Sequence, residues 1–110
     1  MLPKKNRLTL KADFQTVLKQ GKIQHAKYYA FSCVLTEAPE KKVGIIVSNK
    51  ISKKAVERNK IRRAGRAAAQ EMLENLPNGI LGVFLAKPQA NLQTHGVLNK
   101  DAREVLKKVV

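Results

Sequence analysis

The residues most suited to chemistry in this sequence are the basic side chains between positions 58 and 66. The segment reads RNKIRRAGR and holds five arginines and lysines with no acid among them. A guanidinium binds phosphate through paired hydrogen bonds, so the chemistry this segment suggests is recognition of a polyanion. On a helix, Arg62, Arg63 and Arg66 share a stripe with Asn59. Like charges on such a stripe repel by about 0.2–0.5 kcal/mol per pair unless an anion lies between them.

The helix that positions these arginines is predicted over residues 53–75 and has an apolar stripe of its own. The stripe consists of small or apolar residues at helical spacing: Ile61, Ala64, Gly65, Ala68 and Met72. Such a stripe is typical of the face that packs on a core. At 3.6 residues per turn, the arginine stripe is turned by roughly 160° from it, so we expect the arginines to point away from the core.

The start of this helix carries two further cations. Lys53 and Lys54 fall in the predicted first turn, where the helix dipole favours acids, and Ser52 is the expected N-cap. An anion docked on the free N–H groups would make this placement favourable. The helix start therefore joins the candidate polyanion surface.

The charge of the whole chain indicates the same kind of partner. Its 110 residues carry 22 Lys and Arg against 8 Asp and Glu, a net charge of +14. Residues 41–66 hold ten basic groups and one acid, whereas residues 67–110 hold five basic groups and four acids. Such an excess repels itself in a compact chain, so we expect a polyanionic partner, nucleic acid first and an anionic membrane surface second.

Several functional classes find no support in the sequence. The acids are scattered, His25 and His95 have no metal-ligand spacing, and no nucleotide-binding or hydrolase motif is present. Cys33 is the only cysteine, which excludes an internal disulfide. There is no apolar run of about 18 residues and no secretory signal. We therefore expect a cytoplasmic binding protein and not a self-sufficient enzyme or a membrane protein.

Periodicity predicts a single domain, residues 1–110, of the α+β class. The predicted elements are a helix at 11–20, strands at 28–36, 43–48 and 80–86, the long helix, a last helix after Thr94, and a short extra strand near 22–26. The first two long strands flank the turn EAPEKK and are predicted to form an antiparallel hairpin. The order α-β-β-α-β-α, with the extra strand, predicts an α-β sandwich with one mixed sheet.

Four of the five aromatic residues lie in the basic N-terminal third: Phe14, Tyr28, Tyr29 and Phe31. Aromatic faces beside a basic groove suit single-stranded RNA, whose unstacked bases can stack on them. The alternative, that Phe14 and Phe31 belong to the core, stays open at this point. At most one of the two adjacent tyrosines is expected in the main core, because neighbours on a strand point to opposite faces.

The window KVGIIVSNKISKKAVERNKIRRAGRAA, residues 42–68, resembles the signature of the ribonuclease P protein family. That signature is a strand, a Lys-rich turn, and a helix carrying Arg-Asn-Arg followed by further arginines. The resemblance extends to NRL at 6–8, DFQ at 13–15 and AKP at 86–88, and covers essentially the whole chain in register. Lys60 stands where the motif's second arginine is usual, and Leu18 occupies a site that is often aromatic.

The resemblance implies a protein that pairs with ribonuclease P RNA and acts on precursor tRNA. In that family the RNA performs the metal-dependent hydrolysis that removes the 5′ leader. Magnesium is therefore expected mainly on the RNA and not in a protein cage, and no catalytic residue is expected on the chain. Neither a membrane nor an obligate protein partner is implied. The family's βαβ crossover is left-handed, against the usual rule.

The resemblance also assigns roles to residues of this chain. The expected RNA-binding set is Arg7, Lys50, Lys53, Lys54, Arg58, Asn59, Lys60, Arg62, Arg63 and Arg66. The cleft that holds the single-stranded leader is expected from Phe14, Tyr28, Tyr29 and Arg58, with Arg58 at its edge.

Two other functions are compatible with the residues alone. A ribosome-associated or RNA-chaperone protein without a catalytic partner would need the same basic helix. A DNA-binding module is less well supported, because an arginine stripe offers phosphate contacts but few groups that read base edges.

Overall fold

A four-stranded mixed sheet is the centre of the fold in this computed structural model, which describes residues 2–109. Its strands are β1 (Lys22–His25), β2 (Tyr29–Leu35), β3 (Lys42–Ile46) and β4 (Ile80–Ala86). In the described part of the chain the α-helices are α1 (Lys11–Gln20), α2 (Ala55–Glu71) and α3 (His95–Lys107), and short 3-10 helices lie at Lys4–Asn6, Leu73–Asn75 and Pro88–Ala90. The α+β class and the mixed sheet predicted from the sequence are confirmed.

Strand β4 occupies a central position, so the predicted hairpin of the two preceding strands is wrong. The spatial order is β1-β2-β4-β3, in which β2 pairs antiparallel with β1 and β4, and β3 pairs parallel with β4. β4 reads ILGVFLA, and such a continuous apolar run suits a strand buried between two neighbours. The turn after β2 passes the start of β4, where the Thr36 amide donates to the Gly79 carbonyl at 2.8 Å.

The two faces of the sheet are covered unequally. Helices α2 and α3 cover one face, on which Tyr29, Phe31 and Phe84 are fully buried. On the other face, α1 buries Val17 against β2 and β4. A group of apolar side chains on that side stays half-buried: Phe14, Val34, Ile46, Leu81 and Leu85. We call these five residues the open sheet face.

Most of the predicted boundaries are confirmed. α1, its stop at Gly21, and β4 have the predicted bounds, and the extra strand is present as β1. Thr94 caps α3, because its hydroxyl accepts from the Val97 amide at 3.3 Å. α2 ends earlier than predicted, at Glu71, and a 3-10 helix follows it. α2 connects the parallel strands β3 and β4; the left-handedness of this crossover stays a prediction from the family resemblance.

Candidate nucleic-acid interface

Helix α2 has three sides, each facing a different part of the molecule. The predicted apolar stripe is confirmed as the core side, where Ile61 and Ala64 are fully buried. One flank lies against β3, since a Cβ added at Gly65 would collide with the Ile45 side chain. The opposite flank faces α3, from which Asn99 Nδ2 donates to the Ala64 carbonyl at 3.3 Å.

The flank beside β3 carries Arg62 and Arg66, which are half-buried there. Arg63 follows Arg62 about 100° further around the helix and is exposed. Arg7 belongs to the same region, because its backbone forms a parallel bridge with Val43 of β3. Partial burial, together with the charges of Arg7 and Arg62, lowers the pKa of Arg66, although a guanidinium stays protonated at any physiological pH. We call Arg7, Arg62, Arg63 and Arg66 the arginine flank.

The arginine flank is not neutralised by the protein itself. Among residues 2–109, no carboxylate lies within salt-bridge distance of these four guanidiniums. Arg62 donates to Asn59 Oδ1 at 3.0 Å, and Arg7 Nε donates to the Leu2 carbonyl at 3.0 Å. Both contacts orient a guanidinium and leave its charge uncompensated. A bound anion would therefore stabilise this cluster.

Residues 48–54 form a basic loop between β3 and α2. Lys50, Lys53 and Lys54 are exposed, whereas Ile51 is buried and anchors the loop. Lys54, and not Ser52 as predicted, is the N-cap residue, because α2 begins at Ala55. The Ser52 hydroxyl accepts from the Lys54 amide at 3.2 Å, just before the helix. Without a capping side chain, the first amides of α2 remain available to an anion.

Arg58 ties the basic loop to the helix. Its guanidinium donates to the Ser52 carbonyl at 2.9 Å, and its side chain is half-buried. It lines a shallow groove together with Asn49, Lys50 and Lys53. Arg58 therefore lies near the helix start, about one turn before Arg62.

Lys60 does not join the other predicted RNA-binding residues. Its ammonium lies 3.0 Å from the Glu57 carboxylate, which also accepts from the Leu92 amide at 3.3 Å. The hydrogen bond from Lys60 lowers the pKa of Glu57. These contacts place Lys60 on the flank that faces the segment leading into α3. Lys60 therefore lies on a different flank from Arg62, because a step of two residues turns the side chain by about 200° around the helix. Its role in RNA binding stays a prediction.

The structure does not assemble the predicted leader cleft. Phe14 lies on the open sheet face, but Tyr29 is fully buried on the opposite face, where its hydroxyl donates to the Ile61 carbonyl at 2.7 Å. Tyr28 is half-buried against the same core as Tyr29, and Lys27 lies over its ring at 5.4 Å. The prediction is wrong for Tyr29, because a fully buried ring cannot stack a base, and Tyr28 does not share a face with Phe14.

The open sheet face was not predicted from the sequence. The signal for it is the unbroken apolar run of β4, which is typical of a strand that needs apolar cover on both faces. Helix α1 has ten residues and cannot cover one whole face. The side chain of Leu18, which follows Val17 in α1, is 46% exposed.

The side chains that could ligate a metal are dispersed over the molecule. Among residues 2–109, no three His, Cys, Asp or Glu side chains lie close enough together to hold a metal ion. The described side chains therefore form no cluster that would hold magnesium by themselves. The helices described are too short or too polar for any of them to cross a membrane.

These features define a small, basic α+β protein with a surface suited to polyanions. Comparison with known proteins then gives the family. The model of the Ribonuclease P family matches residues 2–110. The chain is 31% identical over 109 residues to the ribonuclease P protein component of Pseudanabaena sp., covering 98% of this chain and 94% of that protein. It is 34% identical over 93 residues to that of Microcystis aeruginosa, covering 81% and 78%. The chain belongs to the ribonuclease P protein family.

Solved structures agree with this assignment. The RNase P protein of Staphylococcus aureus matches with a TM-score of 0.86 at 27% identity, over 96% of this chain and 95% of that one. The RNase P protein of Thermotoga maritima shares the fold, with a TM-score of 0.81 at 23% identity over 94% and 97%. The resemblance noted in the sequence is confirmed. Family membership makes the protein a subunit of ribonuclease P, an endoribonuclease, and implies a partnership with the RNA of that enzyme.

Proposed function

We propose that the protein binds ribonuclease P RNA through the arginine flank and the basic loop, and assists the endonucleolytic 5′ maturation of precursor tRNA. The observation that carries this proposal is the arginine flank, whose guanidiniums have no carboxylate within reach among residues 2–109. An RNA backbone supplies the missing negative charge, and each phosphate that is neutralised releases counterions. The uncapped start of α2 adds backbone donors to the same surface.

The open sheet face is the proposed site for the single-stranded leader. The Phe14 ring lies over the backbone of β3, since a methyl group added at Gly44 would come within 2.6 Å of its Cζ. Unstacked bases bind such aromatic and apolar surfaces in a sequence-tolerant way. The face reaches Ile46, and the chain runs from there into the basic loop. A leader on this face would therefore meet Lys50 and Arg58 at one end.

Catalysis is assigned in this proposal to the RNA subunit. The acids of the described residues are either paired with cations or scattered, and they do not form a metal cage. Magnesium would therefore bind mainly to the RNA, and the protein would contribute positive charge and positioning. The proposal places the subunit in the cytoplasm, without a membrane or an obligate protein partner.

Reconstitution tests this function. The purified protein is added to a bacterial ribonuclease P RNA at low magnesium, and cleavage of precursor tRNA is followed. We expect faster cleavage, because the arginine flank reduces the repulsion between two RNA molecules. An absence of stimulation would overturn the proposal and favour a ribosome-associated or RNA-chaperone protein. A variant that lacks the Arg62 and Arg66 guanidiniums serves as the control for nonspecific effects of added protein.

A further inference from the structure

Two buried side chains donate hydrogen bonds to the backbone of α2. The Tyr29 hydroxyl, from β2, donates to the Ile61 carbonyl at 2.7 Å, and the tyrosine is fully buried. Asn99, from α3, is 8% exposed and donates to the Ala64 carbonyl at 3.3 Å. Both carbonyls lie inside the helix, where the amides four residues later already use them. The two side-chain bonds are therefore additional to those that form the helix.

These bonds fix how α2 is placed on the sheet. They reach the helix from two directions, one from the sheet and one from α3. A third contact sets its depth, because Gly65 lies so close to the Ile45 side chain that a Cβ would not fit. A helix held at these three points is restrained against rotation about its axis and against a closer approach to β3.

The rotation of α2 decides where the arginines point. For side chains about 5–6 Å from a helix axis, a rotation of about 20° moves the end of the side chain by about 2 Å. A displacement of this size disrupts the paired hydrogen bonds between a guanidinium and a phosphate. We propose that Tyr29 and Asn99 are positioning residues for the arginine flank, which they serve by fixing the rotation of α2. The proposal depends on the RNA-binding function proposed above.

The surroundings of Tyr29 keep its hydroxyl protonated, so that it can donate the hydrogen bond to α2. Burial, and the nearby charge of Asp101, raise the pKa of its hydroxyl, so the proton is retained at any physiological pH. The Asp101 carboxylate accepts from the amides of Lys27, Tyr28 and Tyr29 at 3.0, 2.8 and 3.1 Å. It thereby fixes the start of β2. Helix α3 thus holds α2 directly through Asn99 and indirectly through the strand that carries Tyr29.

The test compares Tyr29→Phe with a matched control. Tyr29→Phe keeps the ring that packs edge-on against Phe84 at 5.5 Å and removes only the hydroxyl. Ser32→Ala removes another buried hydroxyl of β2, one that donates at 3.0 Å to the Val17 carbonyl of α1 on the other face. Each variant is titrated with a bacterial ribonuclease P RNA, and equilibrium unfolding confirms that it is folded. We expect Tyr29→Phe, and Asn99→Ala as a second variant, to weaken RNA binding about fivefold, and Ser32→Ala to change it less than about twofold.

A double-mutant cycle separates positioning from general stability. In a protein that already carries Arg62→Ala and Arg66→Ala, Tyr29→Phe should lower the RNA affinity by less than about twofold, because the arginines that Tyr29 positions are absent. An equal loss in both backgrounds, or an unchanged affinity of Tyr29→Phe, would overturn the inference.

A measurement on the free protein separates this inference from the function on which it depends. The residual dipolar couplings of the α2 amides vary periodically along the helix, and the phase of that variation reports its rotation. We expect the phase to shift in Tyr29→Phe and to stay unchanged in Ser32→Ala. If the wild-type protein fails to bind the RNA, the proposed function is wrong, and this phase alone decides the positioning role. An unchanged phase in Tyr29→Phe would reject it.

Discussion

The two flanks of α2 use their charges in different ways. On the flank toward α3, Lys60 lies 3.0 Å from Glu57, and Arg103 of α3 lies 3.5 Å from Glu71. On the flank toward β3, Arg62 and Arg66 have no carboxylate within salt-bridge distance in the described part of the chain. One flank of α2 thus meets cations that the protein itself neutralises, and the other presents cations that have no carboxylate partner among the described residues. A count of basic residues along the sequence therefore overestimates the uncompensated positive charge of the surface.

The strongest test of this difference is removal of charge from one flank at a time. We expect Arg62→Ala combined with Arg66→Ala to weaken binding to ribonuclease P RNA by about tenfold to a hundredfold at moderate salt. The slope of log affinity against log salt should fall by roughly 0.7–0.9 for each phosphate that the variant no longer neutralises. Both quantities come from titrations at several salt concentrations. Arg103→Ala is the control on the opposite flank, and a loss of the same size in that variant would contradict the distinction between the flanks.

A second test concerns Phe14 on the open sheet face, which is separate from the arginine flank. We expect Phe14→Ala to leave the affinity for ribonuclease P RNA nearly unchanged and to reduce the preference for precursor over mature tRNA. Removal of one base stack corresponds to about 1–3 kcal/mol, or roughly fivefold to a hundredfold in that preference. Phe14→Leu is the matched variant, because it keeps an apolar side chain over Gly44 but removes the flat ring. If Phe14→Ala and the double arginine variant impaired the same property, two separate RNA surfaces would not exist.

The sequence predicts the local features of α2 well and its surroundings less well. The core stripe with Ile61 and Ala64 follows from the 3.6-residue period, because a helix has one apolar side wherever it packs. Which flank is neutralised does not follow from that period. It depends on β3 lying beside Gly65 and on the Leu92 segment reaching Glu57, and both contacts join residues far apart in the chain.

The order of the strands shows the same limit. The turn EAPEKK favours a hairpin of β2 and β3, yet β4 lies between them. The central place in the sheet goes to the strand that is most completely buried, which is β4. That strand begins more than thirty residues after the end of β3. The cleft prediction fails for a related reason. Alternation along β2 separates Tyr29 from Ser32, but only the packing of α1 shows which face of the sheet stays open.

Lys60→Ala tests the neutralised flank, and its expected effect is small. Because the ammonium is paired with Glu57 and lies away from the arginine flank, RNA affinity should change less than about twofold. The salt slope should stay that of the wild-type protein. The measurement is the same titration used for the arginine variants, with Arg66→Ala as the reference. A loss as large as that of Arg66→Ala would show that the RNA reaches both flanks of α2.

The smallest expected effect is the pH dependence of the Glu57 pair. The hydrogen bond from Lys60 lowers the pKa of Glu57 in the folded protein, so the pair stabilises the fold above the ordinary carboxyl pKa of about 4.3. That contribution disappears as the pH falls through the lowered pKa, because the protonated acid no longer attracts the ammonium. The difference in unfolding midpoint between wild type and Glu57→Gln should therefore be constant from about pH 8 to 5 and shrink below about pH 4.

The control is Glu104→Gln, which removes the charge of an exposed pair with Lys107 at 3.4 Å and should give a smaller difference in unfolding midpoint. A difference that did not change with pH would mean that the charge of Glu57 does not stabilise the fold, and that Lys60 is free to meet an RNA after all.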